Sequence, residues 1–577
     1  MLFYLMHTPA GEFKLSPFPE LDKLFQESEQ TGMPPFRILI PGIPLAYLEP
    51  IFARVSARIG TRAGLETEGF ILKIIAKEDA LQKFDWKWQN LEQQDLEQMR
   101  GNENLSLERS AGDDLADSLS GRQLTDDELS VLAAGIGLNA DMLWRQAHIL
   151  VRAGLGEWVP AVRRGSKGWY CERCGESELE EWPGLYGTSF TCPSCRSLGA
   201  SSSMKVIYRD LRASAGKFRK IRIGRVGVEQ FSSLFPGLRL TAAQEQAARE
   251  VLEFARSARE RESLLWAACG AGKTEVCFPA AEWALAQGQA VLFAAPRQDV
   301  VHDVAPRLQQ AFPDISIPVL SGASTAKFGS GQLVLATTHQ VLRFYRAFDL
   351  IFLDELDAFP YRGSRMLQWG INQALRPGGK ILFLSATPDS AIRQRLGKAG
   401  RIIRLPARHH RRPLPVPQWI KITEARVESA LRENLAALRR RGPVIFFVPK
   451  ISWVKLWTER LKGLFSSWSI SGSYSSDPER QEKLIRLRQG GFDLFVATTI
   501  LERGVTVEGV QVAVMAADHP VFDERTLVQM AGRAGRTRAH PEGEVVFFAA
   551  RATKAMKTAV DWIHEQNELA RSAGLLD

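Results

Sequence analysis

Long apolar runs are missing from this sequence of 577 residues. A membrane-spanning helix needs roughly 18 or more apolar residues in succession. The most apolar early segment, residues 38–52, is interrupted by three prolines, a glycine and a glutamate. The amino terminus also lacks the basic region and small-residue cleavage site of a secretory signal peptide. We therefore expect a protein of the cytoplasm.

Cysteine is scarce, with six residues in the chain, and a reducing compartment disfavours disulfides. Four of the six form two Cys-x-x-Cys pairs, Cys171 with Cys174 and Cys192 with Cys195, separated by seventeen residues. Two tight turns of this kind supply four thiolates to a tetrahedral ion. The spacing predicts a four-cysteine zinc site (Zn²⁺), with a redox-active pair as the alternative.

Charge is unevenly distributed along the chain. Residues 92–128 contain eleven acidic and three basic side chains and are rich in Ser, Gly, Asn and Gln, which is typical of a solvated linker. Residues 196–225 contain nine basic side chains and one acidic side chain. This basic stretch favours contact with a nucleic acid, and a solvated surface is the alternative.

Apolar strand-like runs alternate with helical patterns in the second half of the chain. One series lies between residues 263 and 384 and another between 444 and 548, separated by the Pro- and Arg-rich segment 401–417. Alternation of this kind predicts parallel sheets with buried strands. We expect an α/β protein with two motor lobes that fold on their own cores, to which the zinc module is appended.

The chain is divided on these grounds into six segments. They are 1–90, an N-terminal α+β region of unknown role; 91–128, an acidic linker; 129–200, a helical segment and the small four-cysteine zinc module; 201–235, a basic connector; 236–407, the first lobe; and 412–577, the second lobe.

A phosphate-binding loop follows the first strand of the first series. Residues 267–274 read Ala-Ala-Cys-Gly-Ala-Gly-Lys-Thr, with alanine at the usual first glycine. Gly270 and Gly272 would let backbone N–H groups approach the phosphates of ATP. Lys273 would reach the β- and γ-phosphates, and Thr274 would bind Mg²⁺.

Clustered carboxylates end another apolar strand of the first series. Residues 350–353 lead without a break into Asp354 and Glu355. Ligands meet at the carboxyl ends of strands in open α/β sheets. We predict that Asp354 holds Mg²⁺ and that Glu355 deprotonates the attacking water. An exposed acidic loop is the alternative.

A basic, glycine-containing segment of the second lobe supplies two arginines three positions apart, Arg533 and Arg536. On a helix this spacing places both side chains on one face. We predict that they act across the lobe interface on the transferring phosphoryl group, and a solvated basic turn is the alternative.

Together these motifs resemble superfamily 2 helicases, over about 340 residues from 238 onward. The matching segments, in chain order, are 240–244 (the adenine-reading glutamine motif), 267–274 (motif I), 295–297 (motif Ia), 354–357 (motif II), 385–387 (motif III), 498–506 (motif V) and 529–536 (motif VI). The resemblance implies two RecA-like lobes. Roles implied only by this resemblance are adenine binding for Gln244, completion of the catalytic site for Gln529, coupling of nucleotide state to lobe closure for Ser385 and Thr387, and DNA-backbone contact for Arg297, Thr498 and Thr499.

Two features narrow the resemblance to the ComFA family of late-competence DNA-uptake ATPases. The cysteine module lies ahead of the first lobe, and motif V reads Thr-Thr-Ile-Leu-Glu-Arg-Gly-Val-Thr. The family implies stimulation by single-stranded DNA, peripheral association with the inner face of the cell membrane, and partnership with other competence proteins, including a product of the same operon. The alternatives are a primosomal replication-restart helicase and a zinc-dependent nucleic-acid-binding scaffold whose ATP site only switches conformation.

The basic connector yields a first prediction. Replacing Lys217, Arg219, Lys220 and Arg222 together by Ala should weaken DNA binding and lower its salt dependence. For single strands the slope of log K against log salt should fall by about 0.7 for each phosphate that the protein no longer neutralises. Basal ATP hydrolysis should stay at the wild-type rate. Binding titrations at several salt concentrations test this, and an unchanged slope would assign the connector to a solvated surface.

Overall fold

The computed structural model describes the chain except for residues 9–11, 28–35, 60–64, 79–80, 92–114, 213–238, 323, 325–326 and 500–506. Most of the predicted acidic linker, most of the basic connector and the end of motif V therefore lie outside the described residues. Within the described ranges, no helix combines the length and apolar composition that crossing a membrane requires.

The amino-terminal region is an α+β unit, as predicted. Its described strands form an antiparallel sheet in the order β2-β1-β3-β4, where the strands are β1 Phe3–His7, β2 Phe13–Ser16, β3 Arg37–Ile43 and β4 Lys87–Asn90. The helices beside the sheet are α1 Pro19–Glu27, α2 Leu45–Ile59 and α3 Leu65–Ile75. Side chains of the sheet and of α2 and α3 share one apolar cluster.

The part of the chain that contains the four cysteines combines two helices with short antiparallel sheets. We call it the zinc unit, after the metal that the cysteine spacing predicts. Its strands are β5 Gln123–Thr125, β6 Gly156–Pro160, β7 Val162–Gly165, β8 Gly168–Cys171, β9 Glu180–Gly184, β10 Gly187–Thr191 and β11 Val206–Asp210. Its helices are α4 Asp126–Gly135 and α5 Ala140–Arg152. Over the described residues, β5-β11-β6 form one sheet, and β7 pairs with β8 and β9 with β10.

This unit extends beyond the segment that the sequence predicted for it. Strand β5 and the start of α4 fall inside the predicted acidic linker, and β11 falls inside the predicted basic connector. Thr125 caps α4 through a capping box with Glu128, so the acidic residues there open a helix. Ile207 and Tyr208 of β11 are buried. The pattern of Thr125 followed by three acidic residues predicts the start of α4, and the structure confirms it. Charge counting alone did not indicate β5 or β11, because burial of a few apolar side chains outweighed the composition of the surrounding sequence.

The first lobe is a parallel sheet with helices on its faces. Its strands are β12 Glu262–Ala267, β13 Val291–Ala295, β14 Val319–Leu320, β15 Leu333–Thr337, β16 Phe348–Asp354, β17 Leu375–Ser385 and β18 Arg401–Leu405. Its helices are α6 Ala242–Arg256, α7 Lys273–Val276, α8 Phe278–Ala286, α9 Gln298–Ala311, α10 Thr338–Val341, α11 Arg365–Ala374 and α12 Ser390–Ala399. In the described part of this lobe the strand order is β14-β15-β13-β16-β17-β12-β18.

The second lobe repeats this architecture. Its strands are β19 Gln418–Lys421, β20 Val444–Phe447, β21 Ile470–Ser473, β22 Leu494–Ala497, β23 Gln511–Met515 and β24 Val545–Ala549. Its helices are α13 Val427–Arg441, α14 Ile451–Leu464, α15 Arg480–Arg488, α16 Glu524–Ala531 and α17 Lys554–Ser572. Over the described residues the parallel order is β19-β24-β23-β20-β22-β21. Every residue of β13, β20 and β23 is buried, which explains why these strands are apolar throughout except for Gln511 at the start of β23.

The zinc unit packs directly against the first lobe, which corrects the expectation that it is only appended to the lobes. The backbone N–H of Gln123 donates to the carbonyl of Arg343 at 2.9 Å, and that of Tyr345 donates to the carbonyl of Gly121 at 2.9 Å. The four cysteines share one apolar cluster with residues of the first lobe, among them Phe344. The lobe covers apolar surface that so small a metal unit cannot bury alone.

A buried carboxylate lies at the centre of this junction. Glu128 accepts a hydrogen bond from Arg343 of the first lobe at 2.7 Å and pairs with Arg173 of the first cysteine knuckle. All three side chains are buried. Burial alone would raise the pKa of Glu128, but the two guanidinium charges hold the pKa below its ordinary value of 4.5. The carboxylate therefore stays charged and joins the zinc unit to the lobe.

This junction gives a second prediction. Glu128→Gln should lower the free energy of unfolding by about 3–5 kcal/mol at pH 7, because two buried arginines lose their counter-charge. Because the folded-state pKa is lowered, the stabilisation is present above the unfolded value of 4.5 and is lost as the pH falls through the folded value. Urea unfolding at pH 7 and at pH 4 measures both effects. The exposed Glu178→Gln serves as control, and equal stability of the two variants at pH 7 would contradict the prediction.

Candidate nucleotide site and zinc centre

The phosphate loop connects β12 to α7, and its two glycines adopt conformations that other residues rarely adopt. Gly270 has φ of 79° and Gly272 has φ of 83°, in the left-handed region. A Cβ on Gly272 would also lie 2.5 Å from Nε2 of Gln244. The loop therefore needs glycine at both positions, as the phosphate-loop assignment predicts.

The carboxylates of motif II lie directly opposite the loop. Nζ of Lys273 is 2.9 Å from Oδ1 of Asp354, at the end of β16. Burial alone would lower the pKa of Lys273, but the carboxylates of Asp354 and Glu355 raise it above its ordinary value. The buried Thr274 hydroxyl and Asp354 offer hard oxygen donors of the type that Mg²⁺ prefers. These residues fit the predicted ATP and Mg²⁺ site.

Glu355 adopts a left-handed backbone conformation, with φ of 54°. Its backbone N–H donates to Oδ1 of Asp354 at 2.8 Å. Such a conformation costs about 1–3 kcal/mol for a non-glycine residue and is common at active sites. The turn separates the two neighbouring carboxylates, so that both line the same cavity.

The motif VI arginines lie in a turn that follows α16, so the same-face geometry that their spacing would give on a helix does not apply. Helix α16 ends at Ala531, and Arg533 and Arg536 follow it. Arg533 is buried. Burial and, to a smaller extent, the charge of Arg536 lower its pKa to about 9, and the carboxylate of Glu355 opposes this change. Arg533 and Glu355 therefore interact across the two lobes.

Most of the residues predicted for the ATP site line one cavity of about 660 Å³. This volume lies in the range of about 300–1,000 Å³ that small-molecule sites occupy. Lining residues contributed by the first lobe include Gln244, Gly270, Gly272, Lys273, Thr274, Asp354 and Glu355. Those contributed by the second lobe include Gln529, Arg533 and Arg536.

The side-chain amide of Gln244 forms hydrogen bonds that hold the phosphate loop. Its Oε1 accepts from the backbone of Thr241 at 2.9 Å, and its Nε2 donates to the carbonyl of Ala271 at 2.9 Å. Adenine recognition by Gln244 stays a prediction. The contacts explain the residue type, because a glutamine can both cap α6 and donate to the loop.

A line of hydrogen bonds joins motif III to motif II and to the second lobe. Ser385 and Thr387 each donate from the side-chain oxygen to the Asp357 carboxylate at 2.6 Å. Nε2 of Gln529 donates to the Thr387 hydroxyl at 3.3 Å. Coupling of nucleotide state to lobe closure by Ser385 and Thr387 stays a prediction. Asp357, to which the sequence assigned no role, is the acceptor that fixes both.

The predicted DNA contacts are placed at strand ends in both lobes. Arg297 follows β13 and precedes α9, with its guanidinium 3.7 Å from Asp299. Its charge also contributes to lowering the pKa of Arg533 in the second lobe. Thr498 and Thr499 follow β22, and Thr498 is buried. DNA contact by these residues stays a prediction.

The four cysteines converge on one point, as their spacing predicted. All four thiols are buried and lie within 4.8 Å of one another. Cys171 Sγ is 3.8 Å from Cys195 Sγ, and Cys174 Sγ is 3.5 Å from Cys192 Sγ. A tetrahedral site with Zn–S bonds of about 2.3 Å places sulfurs about 3.8 Å apart. The cluster therefore fits a structural zinc ion.

Arg408 is a site residue that the sequence did not indicate. It lies in the segment between the lobes, and its buried guanidinium donates to backbone carbonyls of both the phosphate loop and motif VI. The sequence pattern did not indicate this role, because a run of basic residues such as 408–412 is typical of a solvated segment.

Comparisons with known protein families agree with this geometry. Residues 237–390 match the family described as "Type III restriction enzyme, res subunit", and residues 426–538 match "Helicase conserved C-terminal domain". The two matches cover the first and the second lobe. Fold and site therefore define a two-lobed, ATP-dependent helicase of superfamily 2.

Curated relatives give the particular family. Competence protein ComFA of Bacillus subtilis (strain 168) is 35% identical over 420 residues, covering 70% of this chain and 87% of the relative. Competence protein ComFA of Streptococcus pneumoniae (strain ATCC BAA-255 / R6) is 32% identical over 426 residues, covering 72% and 94%. The chain belongs to the ComFA family.

Solved helicase structures show weaker likeness. Lhr of Mycobacterium smegmatis, bound to ssDNA and AMP-PNP, has a TM-score of 0.44 and 18% identity, covering 57% of this chain and 50% of that one. RecG bound to a three-way DNA junction has a TM-score of 0.45 and 19% identity, and the match covers 60% of this chain and 48% of RecG.

The cysteine cluster gives a third prediction. Cys171→Ala should lose the metal, because three thiolates bind zinc far less well than four. Wild-type protein purified without chelator should contain one equivalent of zinc by elemental analysis. The control Cys277→Ala, which removes a buried thiol outside the cluster, should also retain one equivalent. Wild-type protein without zinc would refute the site.

Proposed function

We propose that this protein is a DNA-stimulated ATPase that translocates on single-stranded DNA and draws transforming DNA into the cytoplasm during natural competence. One observation carries the motor assignment. The phosphate loop and motif II of one lobe and motif VI of the other line a single cavity, so ATP can bridge the lobes. The uptake assignment is supported by the two relatives named competence protein, which the chain covers over most of their length.

The chemistry follows from where the side chains lie. Lys273 would neutralise the β- and γ-phosphates, and Thr274 and Asp354 would hold Mg²⁺, which would supply further positive charge to the phosphate oxygens. Glu355 orients and deprotonates the attacking water. Arg533 and Arg536 approach from the second lobe and stabilise charge on the transferring group.

Movement arises because the site is complete only when the lobes are closed. Gln529 bonds to Thr387, which bonds to Asp357 of motif II, so the lobe interface is joined to the metal-binding loop. Loss of the γ-phosphate removes the anion that motif VI faces, and the lobes separate. If DNA contacts lie on both lobes, at Arg297 and at Thr498 with Thr499, alternating grip advances the strand.

The proposed partners follow from the family. Other competence DNA-uptake proteins, including a product of the same operon, would assemble with this chain at the inner face of the cell membrane. The membrane association is peripheral. The basic connector supplies charge for the DNA backbone.

The general base gives a fourth prediction. Glu355→Gln should retain ATP binding but lower DNA-stimulated turnover by about 100-fold, because the water loses its proton acceptor. Steady-state ATP hydrolysis and nucleotide-binding titrations separate the two effects. Glu433→Gln, an exposed change on α13 of the second lobe, is the matched control. Near-wild-type turnover by Glu355→Gln would refute the assignment.

Two measurements test the proposed function as a whole. Turnover of the wild-type protein should increase with the length of single-stranded DNA, as translocation requires. Binding of one nucleotide without sustained turnover would instead indicate a zinc-dependent nucleic-acid-binding scaffold whose ATP site only switches conformation. In a strain lacking the gene, DNA uptake should fail, whereas normal uptake with defective fork restart would indicate a replication-restart helicase.

A further inference from the structure

A fully buried arginine lies between the two lobes. Arg408 follows β18 and is 1% exposed. Among the described residues, its guanidinium has no carboxylate partner within 4.0 Å, and its neighbours include the cationic Arg536. A buried charge without a counter-ion is costly, so the surrounding dipoles must compensate for it. The residue therefore needs an explanation beyond packing.

Its hydrogen bonds give that explanation. Nε of Arg408 donates to the carbonyl of Cys269 in the phosphate loop at 2.8 Å. Nη1 donates to the carbonyls of Ala534, at 2.7 Å, and Gly535, and Nη2 donates to Gly532 at 2.9 Å. Four of its five N–H groups thus reach the phosphate loop of one lobe and the turn of the other.

The three acceptors in the second lobe belong to the turn that carries the motif VI arginines. Gly532 precedes Arg533, whereas Ala534 and Gly535 separate Arg533 from Arg536. A planar guanidinium with fixed donors can hold several carbonyls in one arrangement. A lysine, with one ammonium nitrogen, cannot reach the loop and the turn with the same geometry. Because the fourth acceptor, Cys269, lies in the first lobe, this set of hydrogen bonds exists only when the two lobes are closed.

We propose that Arg408 is a positioning residue that fixes the motif VI turn against the phosphate loop in the closed state. Arg408 directs Arg533 and Arg536 onto the transferring phosphoryl group without contacting the nucleotide. This inference rests on the proposed role of those two arginines. It adds a link between the lobes that no helicase motif in the sequence includes.

Arg408→Lys and Arg408→Gln test the proposal, with Arg412→Gln in the same segment as an exposed control. Both Arg408 variants should lower kcat by about tenfold or more, as expected when transition-state donors are misplaced. Their Kd for ADP, which lacks the γ-phosphate, should stay within about threefold of wild type. Thermal unfolding monitors the fold. Arg412→Gln should match wild type in all three measurements.

A double variant shows whether Arg408 acts through the motif VI arginines. Adding Arg408→Lys to Arg533→Ala should lower kcat little further, because the two residues serve one function. Unchanged kcat in the single Arg408 variants, or full additivity in the double variant, would overturn the proposal. Parallel loss of fold, ADP binding and turnover in both single variants would also overturn it, since Arg408 would then be structural. Absence of ATPase in the wild-type protein would instead refute the proposed function.

Discussion

The close approach of two backbones, at Cys269 in the phosphate loop and Gly532 in the second lobe, sets the geometry on which the nucleotide cavity depends. A Cβ at position 532 would lie 2.5 Å from the Cβ of Cys269, so a larger residue there would force the lobes apart. Because the strands on either side are buried in rigid sheets, the approach is transmitted to the whole of each lobe. Glycine at position 532 therefore lets the turn that carries the motif VI arginines approach the phosphate loop.

The predicted metal site is also linked to the first lobe by close packing and by ion pairs. The cysteine knuckle packs so closely on α11 that a Cβ on Gly175 would lie 2.7 Å from the ring of Trp369. Glu128 then ties Arg173 of the knuckle to Arg343 of the lobe. Zinc bound at the predicted site would therefore stabilise the knuckle and, through these contacts, the lobe surface that covers it. The zinc unit acts as part of the lobe's structure.

The sequence predicted the two parallel sheets, the cysteine cluster and ten of the residues that line the cavity, because each depends on local pattern or motif spacing. It did not predict that Arg408 is buried or that Glu128 lies between two arginines. Both residues occur in charged stretches, where composition favours solvent exposure. Their burial depends on partners 124 or more positions away for Arg408 and 215 positions away for the Glu128–Arg343 contact. Such contacts follow from tertiary packing, which local composition does not encode.

The position of the zinc unit also constrains how the basic connector can work. The described elements on either side of residues 213–238 are β11, which lies inside the predicted connector, and α6 of the first lobe. Strand β11 pairs with β5, whose residue Gln123 bonds to the backbone of Arg343 in that lobe. Both flanking elements therefore belong to the zinc unit and the first lobe, which pack on each other. DNA bound by the connector, as we propose, would move with the first lobe when the lobes open and close, so the second lobe would have to supply the opposing contact.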